Sequence, residues 1–218
     1  MYRTTEKKLT LRNLGRLIWF VLVIPLYRLL RQGPRRTLIW AFVRLRLALT
    51  GVPTLRYGTV LPALFVGGQI RRKGWQRLQE AGVTAVVNMR GEHDDRAAGL
   101  PIPEAGYLHL PTTDDTPVSV QDLQRGADWI AGQIAAGGKV YVHCAAGSGR
   151  APSMGAAYLI KHHGMGADEA LAKVKAARPF AMPVRSQVRR LHEFEAVVRD
   201  GHAPDAAVQP TGERAASE

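Results

Sequence analysis

The chain has 218 residues, a formal net charge of +12 and a single cysteine. This length predicts one domain of about 150 residues with extensions, and one cysteine excludes an intrachain disulfide, which favours a reducing compartment. The charge is uneven: residues 1–58 hold 12 Lys and Arg against one acid, whereas residues 59–218 hold 18 against 17. Because the folded body is nearly neutral and has no nucleic-acid-binding motif, a nucleic-acid partner is excluded.

The first 50 residues contain two apolar runs, 17–30 and 37–49, separated by the basic segment 31–36. Each run is shorter than the ~20 residues of a membrane-spanning helix, and no signal-peptide cleavage site follows the first run. Aromatic residues beside arginines are typical of helices that lie on an anionic leaflet. We therefore predict that residues 1–50 form a basic, apolar helical segment that associates with the cytoplasmic face of a membrane. The alternative is that these helices pack on the catalytic domain or on a partner.

The pattern of a globular α/β domain extends over residues 51–200. Short apolar runs predict four strands, at 64–66, 83–89, 107–110 and 140–142. Amphipathic patterns ended by Gly or Pro predict helices at 71–81, 118–136, 150–163, 167–177 and 184–199. This alternation predicts a central mixed sheet with helices on both faces and chemistry at the carboxyl ends of the strands. The tail 201–218, rich in Ala, Pro and polar residues, is predicted to be disordered.

The stretch 139–158, KVYVHCAAGSGRAPSMGAAY, has the pattern strand, glycine-containing loop and helix. If the helix begins near Arg150, the amides of the preceding loop have no intrahelical partners and can converge on one point, where the helix dipole adds positive potential. Such a concavity binds a phosphate-sized dianion. The predicted substrate-binding residues are Ala145, Ala146, Gly147, Ser148, Gly149 and Arg150.

Two side chains of this loop are the candidate catalytic residues. Cys144 lies at the end of the strand, where the loop amides and Arg150 would stabilise a thiolate nucleophile. The guanidinium of Arg150 has the planar fork that suits two oxygens of a transferring phosphoryl group. The seven histidines show no metal-ligand spacing, so neither a metal nor another cofactor is predicted.

The segment His143 to Arg150 matches His-Cys-x-x-Gly-x-x-Arg, and over about residues 64–198 the sequence resembles the cysteine-dependent protein tyrosine and dual-specificity phosphatases. The resemblance is closest to the branch that includes the mitochondrial phosphatase acting on phosphatidylglycerophosphate. It implies hydrolysis of a phosphomonoester through a cysteinyl-phosphate intermediate, without a metal.

A general acid is also required, because in-line displacement of an alcohol needs a proton donor opposite the thiolate. The loop 110–118 follows a predicted strand and carries Asp114 and Asp115. The family places its acid about thirty residues before the cysteine, and the Thr-x-Asp-x-Thr loop of the branch named above implies Asp114, with Asp115 as the alternative. Either aspartate would also suit the dipole of the following helix, which Thr116 or Ser119 could cap.

Other charged residues near these loops are kept outside the catalytic set. The run 86–92, VVNMRGE, resembles a strand and loop that flank the active site in bacterial and plant members of the family. Its Arg90 and Glu92, with Asp94 and Asp95, could touch substrate, but exposed loop charges more often have no role. His143 is expected to hold the loop by hydrogen bonding rather than to act as a base.

Two departures from the family pattern affect the expected activity. Ala151 stands where the family usually has Ser or Thr after the loop arginine, with Ser153 two residues later, so the second step is expected to be slow. The loop also has no lysine between Cys144 and Arg150, which argues against a highly charged inositol headgroup. The leading hypothesis is a membrane-associated phosphatase of a phospholipid phosphate such as phosphatidylglycerophosphate. The alternatives are a phosphatase of phosphoproteins and, in another class, an inactive phosphate-binding module.

Overall fold

The computed structural model describes residues 22–201; the predictions for residues 1–21 and for the tail beyond Gly201 lie outside this part of the chain. The strands are β1 Thr59–Leu61, β2 Leu64–Gly67, β3 Ala85–Arg90, β4 Tyr107–Thr112 and β5 Val140–His143. The helices are α1 Ile24–Thr50, α2 Arg72–Glu80, α3 Val120–Ala135, α4 Arg150–His163, α5 Ala167–Ala177 and α6 Arg185–Asp200. The predicted α/β class is confirmed, with element ends shifted by a few residues.

The five strands form one mixed sheet in the order β1-β2-β5-β3-β4. β5 lies in the centre and is parallel to both β2 and β3, and β3 is parallel to β4. β1 is antiparallel to β2 at the edge, and the sequence did not predict it because a three-residue strand shows no usable alternation. The central position of β5 places the loop after it at the carboxyl edge of the sheet, flanked by the ends of β2 and β3.

Helices cover both faces of the sheet, as predicted. Val140 and Val142 of β5 are buried in the larger core, together with residues of α3, α4, α5 and α6. Tyr141, which points to the opposite face, is buried in a second core with Trp75 and Leu78 of α2. Successive residues of a central strand therefore point alternately into two apolar layers. Because both layers are buried, the central strands have continuous apolar sequences rather than alternating ones.

α1 occupies the region of the two predicted N-terminal apolar runs. Gly33, with φ 77° and ψ 172°, and Pro34 interrupt it inside the predicted basic break, so that it consists of two helical pieces. Its buried side includes Trp40 and Val43, which form a small cluster with Phe180 of the catalytic body. The helix thus packs on the domain through one side. Within residues 22–201, no helix combines the length and apolarity that crossing a bilayer requires.

The opposite side of α1 is apolar and exposed. Of the ten large hydrophobic residues that are exposed in the described part of the chain, nine lie on or directly before α1. After the kink they are Leu38, Phe42, Leu45 and Leu49, a spacing that puts all four on one helical face. We call this set the leucine stripe. It points away from Trp40 and Val43, and no element within residues 22–201 covers it.

The junction of α1 and α2 generates a stability prediction. A Cβ atom on Gly74 of α2 would collide with the carbonyl oxygen of Gly51, the residue that caps α1. Gly74→Ala should therefore lower the free energy of unfolding by about 1–3 kcal/mol, although alanine is the better helix former. The matched control is Gly132→Ala in α3, where nothing lies within 4 Å and a gain of about 0.5–1 kcal/mol is expected. Urea unfolding measures both, and equal effects would contradict the close approach.

Candidate active site

The loop between β5 and α4 is held by hydrogen bonds to five successive carbonyl oxygens. The donors lie outside the loop's concave side: the amide of Gln69 to Ala145 O at 3.2 Å, Arg178 Nη2 to Ala146 O at 3.0 Å, Arg178 Nε to Gly147 O, the amide of Met182 to Ser148 O at 2.7 Å and the amide of Ser153 to Gly149 O at 3.0 Å. Since each of these carbonyls points outward, the intervening peptide N–H groups turn toward the concave side. A concavity lined by peptide N–H groups at the N-terminus of α4 is chemically suited to an anion.

Cys144 lies at the base of this concavity. Its side chain is only 2% exposed, and the amide of Gly147 donates to its sulfur at 3.2 Å. Gly147 has φ 66°, and a Cβ there would collide with the carbonyl oxygen of Gly67 and with Arg178. Glycine is therefore required at this position both by the left-handed conformation and by the close approach of β2. The predicted loop residues 145–150 are brought together around one sulfur atom.

Arg150 is the first residue of α4 and is almost fully buried, at 1% exposure. Its Nη1 donates to the carbonyl of Thr112 at 2.7 Å and to Glu92 Oε2 at 2.8 Å, and its Nη2 lies 3.3 Å from Glu92 Oε1. Burial alone would lower the pKa of Arg150, but Glu92 and the nearby charges of Cys144 and Asp114 raise it. The guanidinium is thus charged and fixed from behind by a two-pronged carboxylate contact.

Glu92 is a site residue that the sequence reasoning left out. Partial burial would raise the pKa of its carboxyl, but hydrogen bonds from Arg150, from its own backbone amide and from Arg90 outweigh burial and lower the pKa to about 2. Glu92 is therefore ionised, and paired with Arg150, at every pH at which the protein would be assayed. The signal was present in the run VVNMRGE, but only the three-dimensional structure shows which of its charges reaches the loop.

The two candidate acids differ in position. Asp114 Oδ1 lies 3.0 Å from Arg150 Nη2, and 69% of the Asp114 side chain is exposed. The amide of Asp115 donates to that same Oδ1 at 3.2 Å, and Asp115 itself adopts φ 56°. Both border the cavity described below. Asp114 is the aspartate that reaches the arginine of the phosphate site.

The N-terminus of α3 is capped without a contribution from Asp114 or Asp115. The amide of Asp122 donates to Ser119 Oγ at 3.0 Å, and that hydroxyl donates to the carboxylate of Asp122 at 2.7 Å. Ser119 is therefore the cap, one of the two candidates from the sequence, and Asp122 supplies negative charge to the first turn. This leaves Asp114 available for chemistry.

Arg178 is a positioning residue that the sequence did not reveal. It is 2% exposed, and its guanidinium donates hydrogen bonds to four backbone carbonyl oxygens. Two of these belong to the catalytic loop, and the other two are Tyr57 O at 2.7 Å and Val66 O at 3.4 Å. Burial is the main cause that lowers its pKa to about 10, and nearby Tyr141 and Cys144 oppose that change. One buried cation thus ties the catalytic loop to β2 and to the segment before β1.

His143 and the residues after β3 form a second support. His143 Nε2 lies 2.7 Å from Asp95 Oδ2, and both side chains are fully buried, although the contact lacks the angles of a hydrogen bond. Asp95 is held in turn by its amide, which donates to the hydroxyl of Tyr107 at 3.0 Å, and that hydroxyl donates to Asp94 at 2.9 Å. Asp94 and Asp95 therefore hold this loop together through their backbone and side-chain contacts.

The hydroxyl expected after the loop arginine is absent. Ala151 is fully buried, and Ser153, the nearest hydroxyl along the helix, donates to the carbonyl of Gly149 at 3.0 Å, one turn back in α4. Ser153 therefore does not stand in for the missing side chain.

A cavity of about 900 Å³ opens above Cys144. One wall is the catalytic loop with Asp114 and Asp115, another is the segment 181–185, and a third is α1. Packing of the N-terminal helices on the catalytic domain was the alternative to a membrane segment, but neither hypothesis predicted that α1 would line the cavity. Arg28 of α1 even touches the loop, since its Nη2 donates to Ser148 Oγ at 3.1 Å.

The chain matches the family model described as "Dual specificity phosphatase, catalytic domain" over residues 64–197. Human dual specificity protein phosphatase 2 is 32% identical over 143 residues, which are 64% of this chain and 43% of that relative. This chain therefore matches less than half the length of that relative. Mouse dual specificity phosphatase 28 is 30% identical over 141 residues, 64% of this chain and 83% of the relative.

Solved structures agree with this assignment. The crystal structure of human DUSP28 superposes with a TM-score of 0.59 at 28% identity, covering 69% of this chain and 99% of that chain. The crystal structure of PTPMT1 in complex with PI(5)P superposes with a TM-score of 0.58 at 25% identity, covering 66% and 97%. The loop with Cys144 and Arg150 lies at the carboxyl edge of the sheet, and the family model spans more than half of the chain. This protein therefore belongs to the dual specificity phosphatase family.

Proposed function

We propose that the protein hydrolyses the phosphomonoester of a phospholipid at an anionic membrane surface, with Cys144, Arg150 and Asp114 as its catalytic residues. In the first step the thiolate of Cys144 attacks phosphorus, the S–P bond forms and the P–O bond to the leaving alcohol breaks. In the second step water attacks the cysteinyl phosphate, so that inorganic phosphate leaves and the thiolate is restored.

The proposed roles follow from the positions of the groups. The peptide N–H groups of residues 145–149 and the guanidinium of Arg150 would hold the oxygens of the transferring phosphoryl group, because they are fixed before the substrate arrives. Asp114 would protonate the leaving oxygen in the first step and take a proton from water in the second. Its carboxylate oxygen lies 3.0 Å from Arg150 Nη2, which supports this role.

The observation that carries the lipid proposal is the double role of α1. The same helix exposes the leucine stripe on one side and lines the active-site cavity with its arginines on another. Exposed apolar patches of this kind mark interaction surfaces. Residues 24–50 include six arginines and no acid, so an anionic lipid surface is the occupant that satisfies both the apolar and the charged groups.

Two of the similar proteins bear on the choice of substrate. The neighbour PTPMT1 was solved with PI(5)P, a phospholipid phosphate, which supports a lipid substrate here. Dual specificity protein phosphatase 2 carries the name of a protein phosphatase, so a phosphoprotein substrate is the second candidate. The leucine stripe favours the lipid, because a soluble phosphopeptide would not need it.

The nucleophile can be tested by two substitutions that separate chemistry from binding. Cys144→Ser should abolish turnover of a soluble aryl phosphate and still bind a phosphomonoester, since the outward-anchored loop and Arg150 remain. Arg150→Met should lose both turnover and binding, because the charged fork is removed. Steady-state assays and titration calorimetry measure the two properties. Residual activity above a few per cent in Cys144→Ser would show that another group attacks phosphorus.

The acid can be tested against its neighbour. Asp114→Asn should lower kcat by ~10²–10⁴-fold and remove the basic limb of the pH–rate profile, because the acid must be protonated to act and its loss leaves no group to titrate. Asp115→Asn is the matched control, with the same charge change one residue away, and should keep the limb. If Asp115→Asn shows the larger loss, the assignment moves by one residue.

The membrane proposal is tested by changing the leucine stripe rather than by deleting residues 1–50, since deletion would remove a wall of the cavity. The triple variant Leu38→Gln, Leu45→Gln, Leu49→Gln should bind anionic vesicles at least tenfold more weakly, because each leucine contributes roughly 1.5–3 kcal/mol on full burial. Its activity on a vesicle-borne phospholipid phosphate should fall far more than on a soluble aryl phosphate.

The control is Val197→Gln in α6, the one exposed large hydrophobic residue of the described chain that lies outside the α1 region. It should bind vesicles like the wild type. Absence of vesicle binding by the wild type at low salt, or a preference for phosphopeptides over the vesicle-borne substrate, would contradict the lipid proposal and favour a phosphoprotein.

A further inference from the structure

The wall that α1 contributes to the cavity is strongly basic. The cations that line the cavity are Arg28, Arg31, Arg36, Arg44, Lys175 and Arg185. Among the residues of the described chain that line it, the only carboxylates are those of Asp114 and Asp115. Four of the six cations come from α1, so this helix sets the charge of the cavity above the catalytic loop.

Arg28 is the most buried of the four. It is 6% exposed, and its guanidinium donates to Phe180 O at 3.0 Å, to Ser148 Oγ at 3.1 Å and to Gln32 Oε1 at 3.2 Å, while it lies 4.8 Å from the ring centroid of Trp40. Its Nε has no partner in the described part of the chain. Burial, followed by repulsion from Arg44 and Arg178, lowers its pKa to about 10. Arg28 is thus a buried cation whose contacts are all to neutral groups.

Arg44 also has no carboxylate partner within residues 22–201. It is half-buried, and burial lowers its pKa while the nearby thiol of Cys144 acts in the opposite direction. None of the ion pairs formed within residues 22–201 includes an arginine of α1. Buried or partly buried cations that lie close together without carboxylates destabilise the folded protein. A bound anion would offset this cost by pairing with them.

The phosphoryl group that is hydrolysed does not compensate the charges of Arg28 and Arg44. It is received by the loop amides and by Arg150, which is already matched by Glu92. Arg28 contacts the loop from the side, through the hydroxyl of Ser148, and so lies beside the phosphoryl position rather than behind it. A cavity of about 900 Å³ is at the large end of ligand sites and leaves room for more than one phosphate.

We infer that Arg28, Arg31, Arg36 and Arg44 form a second anion subsite, which binds a phosphodiester or other phosphate carried on the same substrate molecule as the phosphomonoester that is hydrolysed. The inference rests on the phosphatase activity proposed above but not on membrane binding. All four residues lie outside residues 64–197, the span of the family model, so the subsite belongs to the N-terminal segment of this chain.

The test uses two water-soluble substrates that differ in one charge. Both carry a phosphomonoester joined by a three-carbon linker to a second phosphorus group, which is an anionic phosphodiester in one and its neutral methyl phosphotriester in the other. The wild type should prefer the diester by at least tenfold in kcat/KM, mainly through KM, because the subsite acts on binding. In the double variant Arg36→Gln, Arg44→Gln this preference should fall to within about twofold.

The control is Arg35→Gln, which removes one positive charge from an exposed position of the same helix that does not line the cavity. It should keep the wild-type preference, and thermal unfolding should show that all variants are folded. A wild type without preference, a double variant that retains it, or an equal loss in Arg35→Gln would each overturn the subsite. Failure of the wild type to hydrolyse either substrate would instead contradict the phosphatase proposal, and vesicle binding is not involved in any arm.

Discussion

The outward anchoring of the five carbonyls from Ala145 to Gly149 is the constraint on which the site depends. A loop of this length would otherwise expose carbonyl oxygens to the substrate, and these would repel a phosphate dianion. The donors come from the segment after β2, from α4, and from Arg178 and the segment after it. Because Arg178 is buried and supplies two of these bonds, the packing of distant elements determines the electrostatic character of the loop.

The arginines around the cavity differ in whether a carboxylate neutralises their charge. Arg150 has Glu92 and Asp114 as partners, and its charge is thereby both fixed and stabilised. The four arginines of α1 that border the same space form no ion pair with any carboxylate of residues 22–201. The catalytic arginine is therefore ready before binding, whereas the α1 arginines gain most when an anion arrives. This difference separates a preorganised phosphoryl site from a recognition surface.

The sequence predicted what is local and missed what is assembled by tertiary contacts. The loop with Cys144 and Arg150 follows from eight consecutive residues, and Asp114 follows from a loop at a known distance from the cysteine. Glu92 and Arg178 act across 58 and about 31 positions of chain, and no periodicity marks them. Packing of the N-terminal helices on the domain was one of the two alternatives, but the position of α1 beside the catalytic loop was not predicted, because the contact of Arg28 with Ser148 joins residues 120 positions apart. The edge strand β1 was missed because it is too short to show a pattern.

The proposed mechanism requires a covalent bond between phosphorus and the sulfur of Cys144. Rapid acid quenching during turnover of a radiolabelled soluble phosphomonoester, followed by peptide mapping, measures where the phosphate resides. The account predicts a label that is stable to acid and confined to the peptide that contains Cys144, and absent from Cys144→Ser. With Ala151 in place of a hydroxyl, breakdown should be slow enough for this species to accumulate. A label on another residue, or turnover with no labelled protein at any quench time, would contradict it.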